Sequence, residues 1–359
     1  MEMISTYFFL VVASLFLSVQ PAAIPGVKTV LANNILVPRT KSDFSQHNQT
    51  ARWAAGHPKE WGSEDYHYEI SPPDPEDNFN SAIAEDERVL ALSNQTHAKL
   101  IDLEKNTTAS IFSLNVPEKK FVVALSLRTA ADGGYNLFYG FGTYVYDTAS
   151  TIFRQRLGSD LQPMGDIITY QGGIGAISKQ GRLATLDGYV YDLSTTNSTP
   201  VATLMGQTYQ TGMSFGPDGV YLSSVNWQAQ TADLWNSTSG EKIFAFPLTN
   251  SQNWATSISP NGDYVAFGLG SAANKVQIYQ LRNLTAAPIE IKDLNNWPRF
   301  VEWSPTSQQV AIGDVPRLRV YDVPSKEIAQ TWEVDGYEGT YQFPPTGTST
   351  SLSGFVYFR

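Results

Sequence analysis

Apolar and aromatic residues in this chain fall into short runs separated by clusters of Gly, Pro, Ser, Thr, Asn and Asp, with almost no helical period. Tyr264-Val-Ala-Phe-Gly268 and Gln309-Val-Ala-Ile-Gly313 are typical: short, aromatic or β-branched, and bounded by turn residues. Such runs predict buried strands. One kind of run recurs. An apolar strand ends in a polar residue and then turns, at Asp102 (Lys-Leu-Ile-Asp), Asp147 and Asp192 (both Tyr-Val-Tyr-Asp), Asn236 (Asp-Leu-Trp-Asn), Gln280 (Gln-Ile-Tyr-Gln) and Asp322 (Arg-Val-Tyr-Asp). The steps between them are 45, 45, 44, 44 and 42 residues.

Four strands of about six residues and four turns of about four or five fill one such period. The unit is then a four-stranded antiparallel sheet, and the expected fold class is all-β, a propeller of four-stranded blades. A second signal supports it. Met213-Ser-Phe-Gly-Pro-Asp-Gly219, Ser257-Ile-Ser-Pro-Asn-Gly262 and Val301-Glu-Trp-Ser-Pro-Thr-Ser307 each precede an apolar run. Pro presets φ in the turn and Gly accepts the left-handed conformation, so these are hairpins between the first two strands (a and b) of a blade. The landmark Asp residues read as caps of the turn from strand c to strand d.

The Ser-Pro-Asn-Gly and Gly-Pro-Asp-Gly turns, with Tyr-Asp where Trp-Asp would stand, resemble the WD-repeat family, most closely over 209–335. Units near 79–117, 118–160 and 165–207 keep the spacing. The resemblance implies a closed ring. The Gly-His pair of that family is missing before every strand a, which implies that its buried His relay is absent too. Six landmarks and a short last unit, Gly339–Arg359, read as seven blades, with six left open. The N-terminal segment, where Val27–Val37 reads as a strand, is the candidate to complete the last blade, because an unpaired edge invites association.

Residues 1–23 read as a secretory signal, 24–78 as an N-terminal segment with the ring-closing strand, and 79–359 as the propeller repeats. Tyr7–Val19 is a 13-residue apolar run, too short for a typical membrane span, and Ala22 and Ala23 suit cleavage. Glu2 and the lack of Lys or Arg before the run leave an uncleaved anchor as the alternative. The expected protein is secreted, with no membrane span after cleavage, and monomeric. Its net charge of −10 repels phosphate backbones and argues against nucleic acid. Cysteine is absent, which removes thiolate chemistry.

Sequons stand at Asn48, Asn94, Asn106, Asn197, Asn236 and Asn283. Asn106, Asn197, Asn236 and Asn283 fall in expected c-to-d turns, which share one rim with the a-to-b turns. One rim is therefore expected to carry sugar and the other to stay bare, unless these sequons only reflect the abundance of Asn, Ser and Thr in turns. On the bare rim, in d-to-a and b-to-c loops, stand Tyr209, Trp227, Trp254, Trp297 and Tyr337 with Asn253 and Asn296; Arg299 lies beside Trp297. Aromatic faces beside amides suit a carbohydrate or a peptide, although the same rings could wedge neighbouring blades.

Catalytic signals are sparse. All four histidines precede residue 100. Gly172-Gly-Ile-Gly175 is followed by no helix and reads as a tight strand entry. The acidic stretch Glu64–Glu87 lacks calcium-loop spacing. Near the expected channel the acids are Asp166, Glu302 and Glu338. No cofactor or metal is expected. The function expected is a non-catalytic binding or scaffold module for an extracellular protein or polysaccharide. The alternatives are a lactonase-like hydrolase with a metal in the channel, and a structural matrix component.

Overall fold

The computed structural model describes residues 80–333 except 87, 94–95, 106, 144–148, 206–209, 248–252, 271–272, 299, 305 and 315–316, together with 37–38, 66–69, 341–342, 349–352 and 355–358. The chain is all-β among these residues, with six sequential four-stranded antiparallel sheets. The first comprises Asn80–Ile83, Val89–Ser93, His97–Asp102 and Thr107–Ser113; the second Phe121–Thr129, Tyr135–Gly142, Thr151–Leu157 and Pro163–Gln171. The third runs Ile174–Ile177, Arg182–Thr185, Tyr189–Asp192 and Ala202–Thr203; the fourth Gly212–Phe215, Tyr221–Asn226, Thr231–Asn236 and Lys242–Ala245. The fifth holds Asn253–Ile258, Tyr264–Leu269, Lys275–Gln280 and Ile289–Ile291; the sixth Phe300–Trp303, Gln309–Gly313, Arg317–Asp322 and Glu327–Glu333. In each sheet the four strands, a to d, pair in chain order. A further sheet joins the two ends of the chain, in the order Val37–Pro38, Tyr66–Glu69, Phe355–Phe358, Ser349–Leu352, Tyr341–Gln342. Tyr66 pairs with Phe358 and Glu69 with Phe355.

Strand b is buried nearly throughout in several sheets, as at Val89–Ser93. The reason is that each sheet is covered on both faces. Leu183 and Tyr191 of the third sheet pack with Phe138 and Ile152 of the second, while Leu222 and Trp235 of the fourth pack with Val190 and Leu204 of the third. Phe267 and Tyr279 of the fifth pack with Leu234 and Phe246 of the fourth, and Trp303 and Tyr321 of the sixth with Ile278 and Ile291 of the fifth. Strand a packs beside strand a of the next sheet from first to second and from third through sixth. Successive sheets stacked face to face, with their first strands adjacent, place those strands around an axis as in a propeller.

The turn chemistry is as the sequence predicts. Gly219 and Gly262 have φ of 69° and 74°, and their N–H groups donate to Gly216 O (3.0 Å) and Ser259 O (2.8 Å). Ser307 takes the same place at φ 59°. Two further a-to-b turns, closing at Gly133 and Gly181, repeat the geometry without Pro. The landmark residues cap c-to-d turns. Asp102 Oδ1 accepts from Lys105 N (2.9 Å), Asp192 Oδ1 from Ser194 N (2.9 Å), Asn236 Oδ1 from Thr238 N (2.8 Å) and Asp322 Oδ2 from Ser325 N (2.9 Å). The Ser194 and Ser325 hydrogen bonds hold the Asp192 and Asp322 carboxyls below their usual range.

One landmark is out of phase. Asp147 was expected to end a strand c, but strand c of the second sheet is Thr151–Leu157, and 144–148 lie between strands b and c, outside the described residues. The c-to-d turn of that sheet is built by Asp160, whose Oδ1 accepts from Gln162 N (3.1 Å). An apolar run does not reveal whether it is strand b or c; only the capped turn after it does. The 30 residues 174–203 of the third sheet offset the 51 residues 121–171 of the second, so the period survives one misplaced landmark. The calls on residues 1–23, on Val27–Val37 before residue 37 and on most of 34–78 lie outside the described residues.

Trp235 tests the packing. It is fully buried between the third and fourth sheets, its Nε1 donates to Ser224 Oγ (2.9 Å), and Lys242 Nζ stands 4.8 Å from its ring centre. Trp235→Ala is expected to cost about 3–5 kcal/mol in urea unfolding. Trp235→Phe, which keeps much of the ring volume but drops the indole N–H, should lose distinctly less.

Candidate functional site

Two places collect polar and aromatic groups outside the apolar layers between sheets. The first is the rim of d-to-a and b-to-c loops over the fourth, fifth and sixth sheets. Trp227 opens the b-to-c turn of the fourth sheet, and its backbone N–H donates to Thr211 Oγ1 (2.8 Å). Asn253 and Trp254 are the first residues of strand a in the fifth sheet, one step inside the loop expected for them. Alternation along the strand then separates them. Asn253 is fully buried and its Nδ2 donates to Thr231 O (3.2 Å), whereas Trp254 is 36% exposed. The two indoles meet edge to face, their centres 6.3 Å apart and their planes at 81°.

Asn296 and Trp297, both half-buried, lie between strand d of the fifth sheet and strand a of the sixth. Trp297 N donates to Asn296 Oδ1 (2.8 Å). A charge pair that sequence reasoning missed holds this loop. Asp314, fully buried, accepts Asn295 N (2.7 Å) and pairs with Arg319, from which Nε donates at 3.2 Å and Nη2 at 3.0 Å. Arg317 and Arg319 also donate to Asn295 Oδ1, each at 3.2 Å. A second anchor is Gly268, where an added Cβ would lie 2.3 Å from Pro298 O, so only glycine lets the loop lie against strand b of the fifth sheet. Gly268 was the one available signal, an isolated glycine at the end of an apolar strand. Tyr209, Arg299 and Tyr337 lie outside the described residues, as do Asn48, Asn94 and Asn106. Asn197, Asn236 and Asn283 sit at or after the end of strand c, on the opposite rim; Asn197 and Asn283 are exposed and Asn236 is half-buried.

The second place is the axis, near the a-to-b ends of the inner strands. Glu302, in strand a of the sixth sheet, accepts from Ser257 Oγ (3.2 Å) in strand a of the fifth. Desolvation pushes its carboxyl up to about 7, against the pull of the Ser257 hydroxyl, the Trp303 N–H and the charge of Arg128. Arg128 belongs to the second sheet, so its charge reaches Glu302 across the axis. It also ties three sheets together: Nη1 donates to Glu85 Oε1 (3.1 Å) after the first strand a, and Nη2 to Ile177 O (3.2 Å) in the third. Thr129 N and Oγ1 complete the Glu85 carboxylate at 2.7 and 2.9 Å. The expectation that Asp166 stands near the channel is corrected. Asp166 is exposed on strand d, the outer strand of the second sheet, because strand d runs from Pro163 to Gln171 where a d-to-a loop was expected. Glu338 lies outside the described residues. Among the described residues no three His, Cys, Asp or Glu side chains converge as a metal site would require. A half-buried carboxyl with a raised pKa beside one hydroxyl, Ser257, could exchange a proton with it, but no third side chain is seen to orient that pair among the described contacts.

No family model matches the chain, and no curated protein matches it. Among solved structures it is similar to a chain of Kuenenia stuttgartiensis hydrazine synthase, with 14% identity and a TM-score of 0.60 over 79% of this chain and 94% of that one. A likeness at that identity concerns the fold alone, and it agrees with a β-propeller.

The Glu302 carboxyl carries a pH signature. Unfolded, it releases its proton near 4.5; folded, it holds it to about 7. Between those values the folded state binds more protons than the unfolded one, so this group's contribution to stability falls as pH rises. The difference amounts to at most about 3 kcal/mol. Glu302→Gln is expected to remove that decline, so that variant and wild type diverge in melting temperature between pH 4.5 and 7 with the variant the more stable at neutral pH.

Proposed function

We propose that the protein is a secreted, glycosylated, non-catalytic propeller that binds an extracellular polysaccharide or protein across the rim of d-to-a and b-to-c loops. The observation that carries the reading is the Trp227–Trp254 corner. Trp254 is exposed on a strand rather than a loose loop, so it offers a rigid apolar face at low entropy cost. Trp297 extends the surface toward the sixth sheet, on a loop held by Asp314 and Arg319. The three described sequons on the opposite rim leave this one unencumbered. The acidic net charge of −10 favours a neutral or basic partner.

The ring is read as seven blades of WD-repeat-like type, the sheet of both chain ends being the seventh. Burial supports this. Leu90, Leu92 and Ile101 of the first sheet are buried although they alternate with residues packed on the second. Ala311 and Val320 of the sixth sheet form a separate buried cluster with Phe300 and Leu318. Both outer faces therefore have something over them, and the joint sheet packs beside strand a of the first.

Trp254→Ala is expected to abolish retention by cell-wall polysaccharide or secreted-protein matrices while the protein stays folded, losing only the few degrees of melting temperature that the covered part of the ring and its contact with Trp227 supply. Unchanged retention would remove the rim as the binding surface. Glycan mapping of the secreted protein should find Asn197, Asn236 and Asn283 occupied; all three bare would undo the division into a sugar-coated and a free rim.

A further inference from the structure

The three described sequons on the c-to-d rim are not equally open. In Asn236-Ser-Thr238 the last two residues are engaged beyond their own turn. Ser237 is fully buried; its N–H donates to Val220 O (2.8 Å) and its Oγ to Gly219 O (2.6 Å), both in the a-to-b turn of the same sheet. Arg182 reaches across from strand b of the third sheet, its Nη1 donating to Ser237 Oγ (3.1 Å) and Thr238 Oγ1 (3.0 Å). Asn236 Oδ1 accepts from Thr238 N and also from Ser239 N (3.2 Å), while its Nδ2 has no partner among the described residues. Asn197-Ser-Thr199 is the opposite case. All three residues are exposed, and their described hydrogen bonds stay inside the turn: Asn197 Oδ1 accepts from Thr199 N (2.9 Å) and Asn197 N donates to Thr195 Oγ1 (3.2 Å). Asn283 lies between the two. It and Thr285 are exposed, but Leu284 packs against the core shared by the fourth and fifth sheets.

N-glycosylation moves an oligosaccharide from a lipid-linked diphosphate donor to asparagine. The bond from the anomeric carbon to the diphosphate oxygen breaks, a bond from that carbon to Nδ2 forms, and the amide gives up one proton as the diphosphate leaves. The transferase has to take in the whole Asn-X-Thr stretch, hydroxyl included. Asn197-Ser-Thr199 can enter through the shift of an exposed turn. Asn236-Ser-Thr238 can enter only when Ser237 leaves its buried place and Arg182 lets go, which opens the joint between the third and fourth sheets. Resting on the reading of this rim as glycosylated, we infer that Asn236 accepts its glycan only from the unfolded chain, during synthesis, whereas Asn197 stays a substrate after folding. The closed turn tolerates the product, because a glycosylated amide keeps its Oδ1 cap. Synthesis leaves time for the transfer. The fourth sheet completes its core with Phe267 and Tyr279 of the fifth, whose last strand ends at Ile291, 55 residues after Asn236. At about 5–20 residues per second, that interval is about 3–11 s.

The test uses the full chain made in a host without the transferase. Folded protein and its tryptic peptides are offered to purified oligosaccharyltransferase with the lipid-linked donor, and each sequon is read by mass spectrometry. One tryptic peptide, 183–242, carries both Asn197 and Asn236, so the open site serves as the internal standard. The ratio of transfer to peptide over transfer to folded protein is expected to be at least about tenfold at Asn236 and within about twofold at Asn197. Where the bare chain does not fold, translation into microsomes with the donor withheld until the chain is complete makes the same comparison: the late donor should reach Asn197 and miss Asn236. Equal ratios at the two sites, or a late glycan at Asn236, would overturn the inference. Secreted protein that carries glycans at Asn197 and Asn283 but is bare at Asn236 would overturn it too, with the sugar-coated rim left standing. All three bare would bring down both.

Discussion

Face-to-face packing between successive sheets is the constraint on which the rest of this molecule depends. A four-stranded sheet of this length has two faces and cannot bury both by itself. Each of the first six sheets therefore finishes its core with a neighbour: Trp235 completes the third sheet as much as the fourth, and Trp303 the fifth as much as the sixth. That arrangement explains why strands such as Val89–Ser93 are apolar on both sides, a pattern ordinarily associated with parallel sheets. It also explains how the chain dispenses with disulfides. The entropy a crosslink would remove is offset instead by a continuous series of apolar layers.

Sheets stacked this way, among the described residues, place their polar chemistry in three zones: the two rims and the axis. On the c-to-d rim the polar residues close turns. Asp192 and Asp322 hold Ser194 and Ser325, and their depressed carboxyls reflect satisfied hydrogen bonds rather than reactivity. Along the axis, Arg128 joins the first three sheets, and Glu302 with Ser257 joins the fifth and sixth. Each of those contacts joins consecutive sheets about one repeat apart, near the ends of their inner strands. On the opposite rim, Trp227 Nε1 and Asn253 Oδ1 are buried without a hydrogen-bond partner.

Much of the architecture was readable because its determinants are local. The turn at Ser259-Pro-Asn-Gly262 needs four residues to declare itself, and the caps at Asp192, Asn236 and Asp322 need three or four. The error at Asp147 has the same origin. Tyr144-Val-Tyr-Asp147 has the composition of a strand c, but strand identity depends on the turn that follows, and the capping residue of that sheet is Asp160. Sites were less legible. Trp227 and Trp254 could be placed on one rim from the repeat phase, yet their edge-to-face contact joins two sheets. Asp314 and Arg319 were invisible as a pair, because nothing in Gly313-Asp-Val-Pro-Arg-Leu-Arg319 announces that the aspartate is fully buried.

The contrast between these two tryptophan loops bears on how such a rim could acquire a ligand. The Trp297 loop is tied down: a buried carboxylate, two guanidinium groups and a glycine contact hold Asn295 through Pro298 in place. The Trp227–Asn253 corner is held through its main chain while its side-chain donor and acceptor stay unpaired. A rim whose side chains were all internally satisfied would gain little from a polar ligand, since each new hydrogen bond would replace an old one. A rim left entirely loose would lose the gain to ordering. A fixed backbone with unspent hydrogen-bonding atoms avoids both losses. It does so at the border of the fourth and fifth sheets, where the two indoles meet edge to face outside the apolar layers.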